Sequence, residues 1–134
     1  MIESTEYEQS TGKITAVLQA SSIEYIEANH REGYSYIPGS FNADDFYIVD
    51  NQLVSRPEYS LSISPSSIRS NNSDVVNVSG LPSSEYTVRL FGPVMDSWQA
   101  SESSFQLTTN MAGQFMVEID CWPYKIQRGT FNAS

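Results

Sequence analysis

FYIVDNQLVSRP, Phe46 to Pro57, is the stretch that divides this chain. Two runs rich in β-branched and aromatic residues flank Asp50-Asn51, a pair that tolerates the positive φ values of a two-residue type I′ turn. The spacing predicts a hairpin in which Val49 pairs with Gln52, Ile48 with Leu53 and Tyr47 with Val54. Phe46, Ile48 and Leu53 then share one face, and Tyr47 and Val54 the other. The run stops at Arg56-Pro57, because proline donates nothing to a ladder and restricts the residue before it. Arg56-Pro57 is therefore a junction, and the expected organisation is a small α+β unit over 1–57 followed by a β-sandwich over 58–134.

Upstream of the hairpin, GKITAVLQA sets Ile14, Ala16 and Leu18 against Thr15, Val17 and Gln19, the alternation of a strand with one buried face. SSIEYIEANHREG offers Ser21 as a cap with Glu24 three positions on, Ile23 and Ile26 on one side, and Gly33 as a stop. That predicts a helix of about two turns. YSYIPGS is a further strand, ended by Pro38-Gly39. The opening, MIESTEYEQSTGK, reads as an acidic lead. A strand, a short helix, a strand and a hairpin make a small unit by the standards of independent folding.

Beyond Pro57 the character is all-β. YSLSIS, DVVNVSGL, YTVRLFG, SSFQLTT and GQFMVEIDCWPY are short strand-like runs between Ser, Pro, Asn and Gly clusters, the signature of a sandwich. Alternation places Phe115, Val117, Ile119 and Cys121 on one face of the last run, and Tyr86, Val88 and Leu90 inward on the third. The expected core is Val88, Leu90, Phe115, Val117 and Ile119. Trp98, in the polar run VMDSWQASESS, is assigned to no strand and is expected to be exposed, as is Trp122.

Composition excludes several function classes. The 134 residues carry 16 acidic and 7 basic side chains, one His and one Cys, so no internal disulfide forms. No apolar run reaches membrane-spanning length and the acidic start lacks a signal-peptide pattern, so a soluble, unprocessed protein is expected. Residues 1–50 hold nine acids against Lys13 and Arg31, a net charge of −7, while the remainder holds seven acids against five bases. That distribution argues against nucleic acid binding and for a basic partner surface.

Catalytic constellations are equally thin. His30 is the single imidazole, placed near the end of the expected helix, where it satisfies the dipole and the last carbonyls. No G-x-S-x-G elbow accompanies the many serines, and Cys121 lies within a strand pattern. One His and one Cys cannot build a structural zinc site, and NADDFYIVDN lacks the glycine and terminal glutamate of a calcium loop, so Asp44, Asp45 and Asp50 read as turn and surface acids. The glycines are scattered singly, which leaves no phosphate-binding loop and no expected cofactor. A paired-carboxylate site calls for a deeper cleft than a chain of this size usually offers. The expectation is a protein without catalysis. Its surplus is aromatic, eight Tyr, six Phe and two Trp beside many Ser and Asn, a palette suited to contact surfaces. Trp98, Trp122, Asp44 and Asp45 are the candidate partner contacts.

From Ser10 to Ser60 the chain resembles the opening of small virion proteins of tailed bacteriophages, often encoded among tail and fibre genes. The likeness rests on Thr11-Gly12, the helix from Ile23 to Arg31, Tyr36-Ile37-Pro38-Gly39 and the hairpin from Tyr47 to Pro57. VNVSGLP (Val76 to Pro82) and GQFMVEIDCWPY (Gly113 to Tyr124) are similar to the immunoglobulin-like sandwich that follows in such proteins. The resemblance implies a strand ending at the Thr-Gly turn and a non-enzymatic structural role in the virion. It implies a tail-associated adaptor or fibre-attachment protein bound to other virion proteins in a symmetric assembly. Alternatives are a capsid decoration protein, or a module for a host receptor or host-surface carbohydrate. No nucleic acid, membrane or cofactor partner is implied.

Overall fold

The computed structural model describes residues 2–28 and 30–134, and the fold is mainly β with a single short helix among the described residues. The chain divides into two compact units, Met1–Arg56 and Pro57–Ser134.

Unit 1 contains the strands Ile2–Glu8 (β1), Ile14–Ala20 (β2) and Tyr34–Pro38 (β3), the helix Ile23–Ala28 (α1), and a hairpin of Phe46–Val49 (β4) with Gln52–Ser55 (β5). The hairpin has the register its turn demands: Tyr47 opposes Val54, Ile48 opposes Leu53, and Asp50 and Asn51 sit at φ 49° and 64°. The helix is shorter than the stretch Ile23 to Arg31, of which Asn29 lies outside the described residues.

The acidic lead is the main correction in this unit. β1 is the central strand of an antiparallel sheet in the order β2-β1-β3. Ser4, Thr5, Glu6 and Tyr7 are buried in succession, so no apolar alternation marks the strand. The polar members tolerate burial because each is bonded. The Ser4 hydroxyl donates to the Ile37 carbonyl (3.2 Å), and Thr5 Oγ1 donates to the Gly39 carbonyl (2.8 Å) while accepting from the Phe41 amide (3.2 Å). Between β1 and β2 the register skips Thr15, a bulge that turns its hydroxyl toward Glu6.

Helix α1 lies over the sheet face that carries Ser4 and Tyr36, burying Ile26. The hairpin covers the other face, where the Tyr7 hydroxyl donates to Asn51 Oδ1 (2.9 Å). Gly12 marks the closest approach. Its φ is 79°, its carbonyl accepts from the Ile48 amide (2.9 Å), and a Cβ there would collide with the Ile48 carbonyl.

Unit 2 has Ser62–Ser64 (β6), Ser67–Ile68 (β7), Val76–Ser79 (β8), Tyr86–Phe91 (β9), Asp96–Ala100 (β10), Phe105–Leu107 (β11), Gly113–Asp120 (β12) and Gln127–Ala133 (β13). They form a five-stranded sheet, β10-β9-β12-β13-β7, and a three-stranded sheet, β11-β8-β6. All pairings are antiparallel except β13 with β7. Both sheets feed one core, which includes Val76, Val78, Val88, Phe115, Val117, Ile119, Cys121 and Phe131. Leu90 is only half-buried at its margin.

Three of these strands escape the sequence pattern. β7 is two residues long, and β10 reads as polar apart from Trp98. β13 carries Gly129, against which the Ile63 side chain of β6 packs, so its inward positions Gln127 and Gly129 give no apolar alternation. On the outer face of the five-stranded sheet, Glu118 stands opposite both Arg89 and Arg128 and bridges to each (3.7 and 3.3 Å), and Arg89 reaches Asp120 (3.3 Å). This cross-strand charge ladder is why Glu118 is buried though it faces away from the core.

Candidate functional site

In unit 1 the chemistry concentrates around Glu6. Arg31 reaches its carboxylate with Nη2 (2.5 Å) and Nε (3.4 Å), Thr15 donates at 2.6 Å and Tyr36 at 2.9 Å. The Arg31 guanidinium also lies 3.9 Å over the Tyr34 ring. Hydrogen bonding to Arg31 is the leading cause that brings the Glu6 carboxyl from 4.5 to about 2, against the opposing push of burial, with Thr15 and Tyr36 adding to the drop. Tyr36 responds in the other direction: burial first, then its bond to Glu6, pushes its phenol up. With every oxygen of Glu6 engaged, the cluster is a structural centre.

Beside it runs a groove of 320 Å³ between α1 and the sheet, lined by Ile2, Ile23, Ile26, His30, Tyr36 and Pro38 among others. Ser4, Ser35, Glu3 and Glu27 also border it, so His30 does share a groove with serines and acids. The geometry is not that of a nucleophile and base. His30 Nε2 donates to the Tyr34 carbonyl (2.6 Å) and its ring stands edge-on to Tyr36 (5.1 Å), while the Ser4 hydroxyl is spent on Ile37. No hydrogen bond joins His30 to a serine or a carboxylate among the described residues.

Asp44 and Asp45 lie in the turn before β4. Asn42 organises that turn: its Oδ1 accepts from the Asp44 amide (2.8 Å) and its carbonyl from Asp45 and Phe46 (3.2 and 3.1 Å). Arg56 closes it, with Nη1 on the Ala43 carbonyl (3.1 Å) and its amide on the Asp45 carbonyl (2.8 Å). Arg56 thus has a structural task that reading Arg56-Pro57 as a junction did not anticipate. Among the described residues no group of three His, Cys, Asp or Glu side chains is placed to hold a metal ion.

The tryptophans of unit 2 do not share one surface feature. Trp122 is half-buried just after β12. Trp98 is in β10, opposite Val88, half-buried and edge-on to Phe105 (6.0 Å), so alternation does place it and it packs on the core. It also lines a cleft of 290 Å³ with Asn72, Asp96, Thr108, Asn110 and the apolar Phe115 and Phe131, a cleft that Trp122 does not line. The side-chain amides of Asn72 and Asn110, the Thr108 hydroxyl and the Trp98 indole N–H have no hydrogen-bond partner among the described residues. Sequence reading pointed to Trp98 but missed the amides around it. For Asn72 the signal was the Asn-rich turn NNSD, in which it takes φ 58° and its backbone amide donates to the Thr109 carbonyl (3.0 Å).

No protein-family model matches this chain, and neither does any curated protein. Among solved structures, a glycosyl hydrolase family 2 member from Bacteroides cellulosilyticus is similar at a TM-score of 0.41 and 9% identity. The match covers 98% of this chain and 21% of that one, so the chain spans a small part of the enzyme's length. A likeness at that level transfers neither fold family nor activity.

Proposed function

We propose that this chain is a non-enzymatic structural protein of a tailed-bacteriophage particle, a tail-associated adaptor that works through protein–protein contacts. The observation that carries this reading is that the residues behind the virion-protein resemblance are the ones that build unit 1. Gly12 seats the turn on Ile48, Tyr36 bonds Glu6, and Arg56 ties the hairpin's end to the Asn42 turn. The likeness therefore follows a folded unit and not a scatter of common residues. Unit 2 is an immunoglobulin-like sandwich in this reading. Support comes from its strand order: the first, third and sixth strands form one sheet, and the rest form the other with a short early strand parallel to the last.

Unit 1 carries most of the chain's negative charge, so docking to a basic surface of a neighbouring virion protein should weaken with salt. The test is mass spectrometry of purified particles for presence and copy number, together with binding of the pure protein to particles lacking it. Incorporation at tail copy number, with binding that falls as the Debye length shrinks from about 10 Å to about 3 Å, is expected. Absence from particles refutes the reading, and abundance matching the shell moves the protein to capsid decoration.

A second reading, a module for host-surface carbohydrate, is favoured by the Trp98 cleft. An indole beside unpartnered amides, a hydroxyl and Asp96, with no cation in the lining, suits a neutral sugar ring that stacks on one face and bonds at its edge. Glycan-array binding that Trp98→Ala removes while leaving particle attachment intact would establish it; a blank array would dismiss it.

A further inference from the structure

The β2 edge of unit 1's three-stranded sheet is the longest edge strand among the described residues. β6, β7 and β11 are three residues or fewer, β4 and β5 are four each, β10 begins at Asp96, and β3 ends in Pro38. Short length, charge and proline are the devices by which edges avoid pairing. β2 has seven residues, Ile-Thr-Ala-Val-Leu-Gln-Ala, without a charge or a proline, and is bonded to a neighbouring strand on one side only, by β1. The bulge at Thr15 interrupts one end and the turn at Ser21 stops the other, which leaves Ala16–Ala20 as a regular open ladder.

A groove of 430 Å³ lies along the same edge, lined by Leu18, Gln19, Ala20, Ser21, Tyr25 and Ile26. Tyr25 overhangs it at 63% exposure, and no lining residue is charged although the chain's net charge is −9. We propose that this edge pairs with the same edge of a second copy of the chain, antiparallel through Ala16–Ala20 about a twofold axis at Leu18.

The residues select a copy of themselves as occupant. Ala-x-Leu-x-Ala reads the same in both directions, so the twofold puts Leu18 against Leu18 and each alanine against the other alanine of its partner strand. The alanines leave the groove room for two leucines, under Tyr25 and Ile26. On the opposite face, exposed Val17 meets exposed Gln19 twice. A basic partner would find nothing to pair with here, whereas a second neutral edge loses nothing. The inference does not depend on the particle reading. On a symmetric scaffold, however, such an edge would gain from high effective concentration.

The pairing surface is small, so a dissociation constant on the order of 0.1 mM is expected. Sedimentation velocity of the full chain up to about 1 mM should show a monomer–dimer equilibrium. Dimerisation should strengthen with salt, since screening relieves repulsion between two acidic copies. The double substitution Val17→Lys/Gln19→Lys, at exposed positions, sets two pairs of like charges opposite each other and should weaken the dimer at least about tenfold with unchanged thermal stability. Register is read from two single variants, Val17→Cys and Gln19→Cys, oxidised alone and mixed, with Cys121 too buried to compete. The mixture should form the mixed disulfide in excess over both self-linked products. A monomer at every concentration, a dimer indifferent to the lysine pair, or self-linked products that dominate would each overturn the proposal.

Discussion

At the centre of unit 1's sheet, β1 buries Ser4, Thr5 and Glu6 beside Tyr7; at the centre of unit 2's larger sheet, β12 buries Phe115, Val117 and Ile119. Among the described residues, Tyr7, Ile26 and Ile48 are the buried apolar residues of unit 1, against twelve buried residues in the core cluster of unit 2. Apolar burial contributes about 25 cal/mol per Å² irrespective of direction, whereas a buried carboxylate stabilises only while its partners and its charge are in place. The two units should therefore fail for different reasons, one through packing and the other through protonation and lost hydrogen bonds.

Val117→Asp should have the largest effect. Val117 is fully buried, and an unpaired carboxylate there costs more than about 4 kcal/mol, enough to unfold unit 2. Loss of its dispersed NMR signals would show this, and an unchanged melting temperature would contradict the register of β12. Two glycines allow an equal local insult to each unit. Gly12 (φ 79°) and Gly80 (φ 77°) both face a backbone carbonyl, of Ile48 and Ser60 respectively, that a Cβ would strike. Alanine at either should cost about 2–3 kcal/mol in strain, and hydrogen exchange should show unit 1 losing the larger share of its protection because its apolar core is smaller.

Glu6→Gln removes a charge but keeps an acceptor, so a loss of about 1–2 kcal/mol is expected, confined to unit 1 in urea unfolding followed by unit-specific signals. Cys121→Ser should be mildest, about 1 kcal/mol. The thiol is buried, but it sits 3.3 Å from Ser84 Oγ and 3.6 Å from the Glu85 carbonyl, which a hydroxyl could also use.

The same contrast explains what was legible in the sequence. In unit 2 the inward alternation of β12 and β9 reports burial directly, because the core is apolar, and Phe115, Val117, Ile119, Cys121 and Val88 are buried. The hairpin was legible because Asp50-Asn51 dictates a turn and the turn dictates a register. β1 was not, since three of its four buried residues, Ser4, Thr5 and Glu6, are polar and their partners lie up to 36 positions away, as with Thr5 and Phe41. Burial satisfied by distant partners leaves no local periodicity. β13 was hidden because its inward positions begin with Gln127 and Gly129, which carry no apolar signal. Of the candidate contacts, Trp98 was visible as an oddly placed aromatic. The cleft it lines depends on Asn72 and Asn110, which come from two separate turns that only folding brings together.

The most direct test of the division between the units is acid titration of the full chain, followed by residue-resolved NMR from pH 7 to pH 2. Glu6 has its folded-state pKa lowered from 4.5 to about 2, so its stabilisation is complete above the unfolded value and is lost as the pH falls from 4.5 through 2. The account predicts that the Glu6 carboxyl titrates near pH 2, and that Thr5, Glu6 and Tyr36 lose their native signals in that window while Val117 and Ile119 keep theirs. A Glu6 carboxyl that titrates near 4.5, or a unit 2 that melts first, would contradict it.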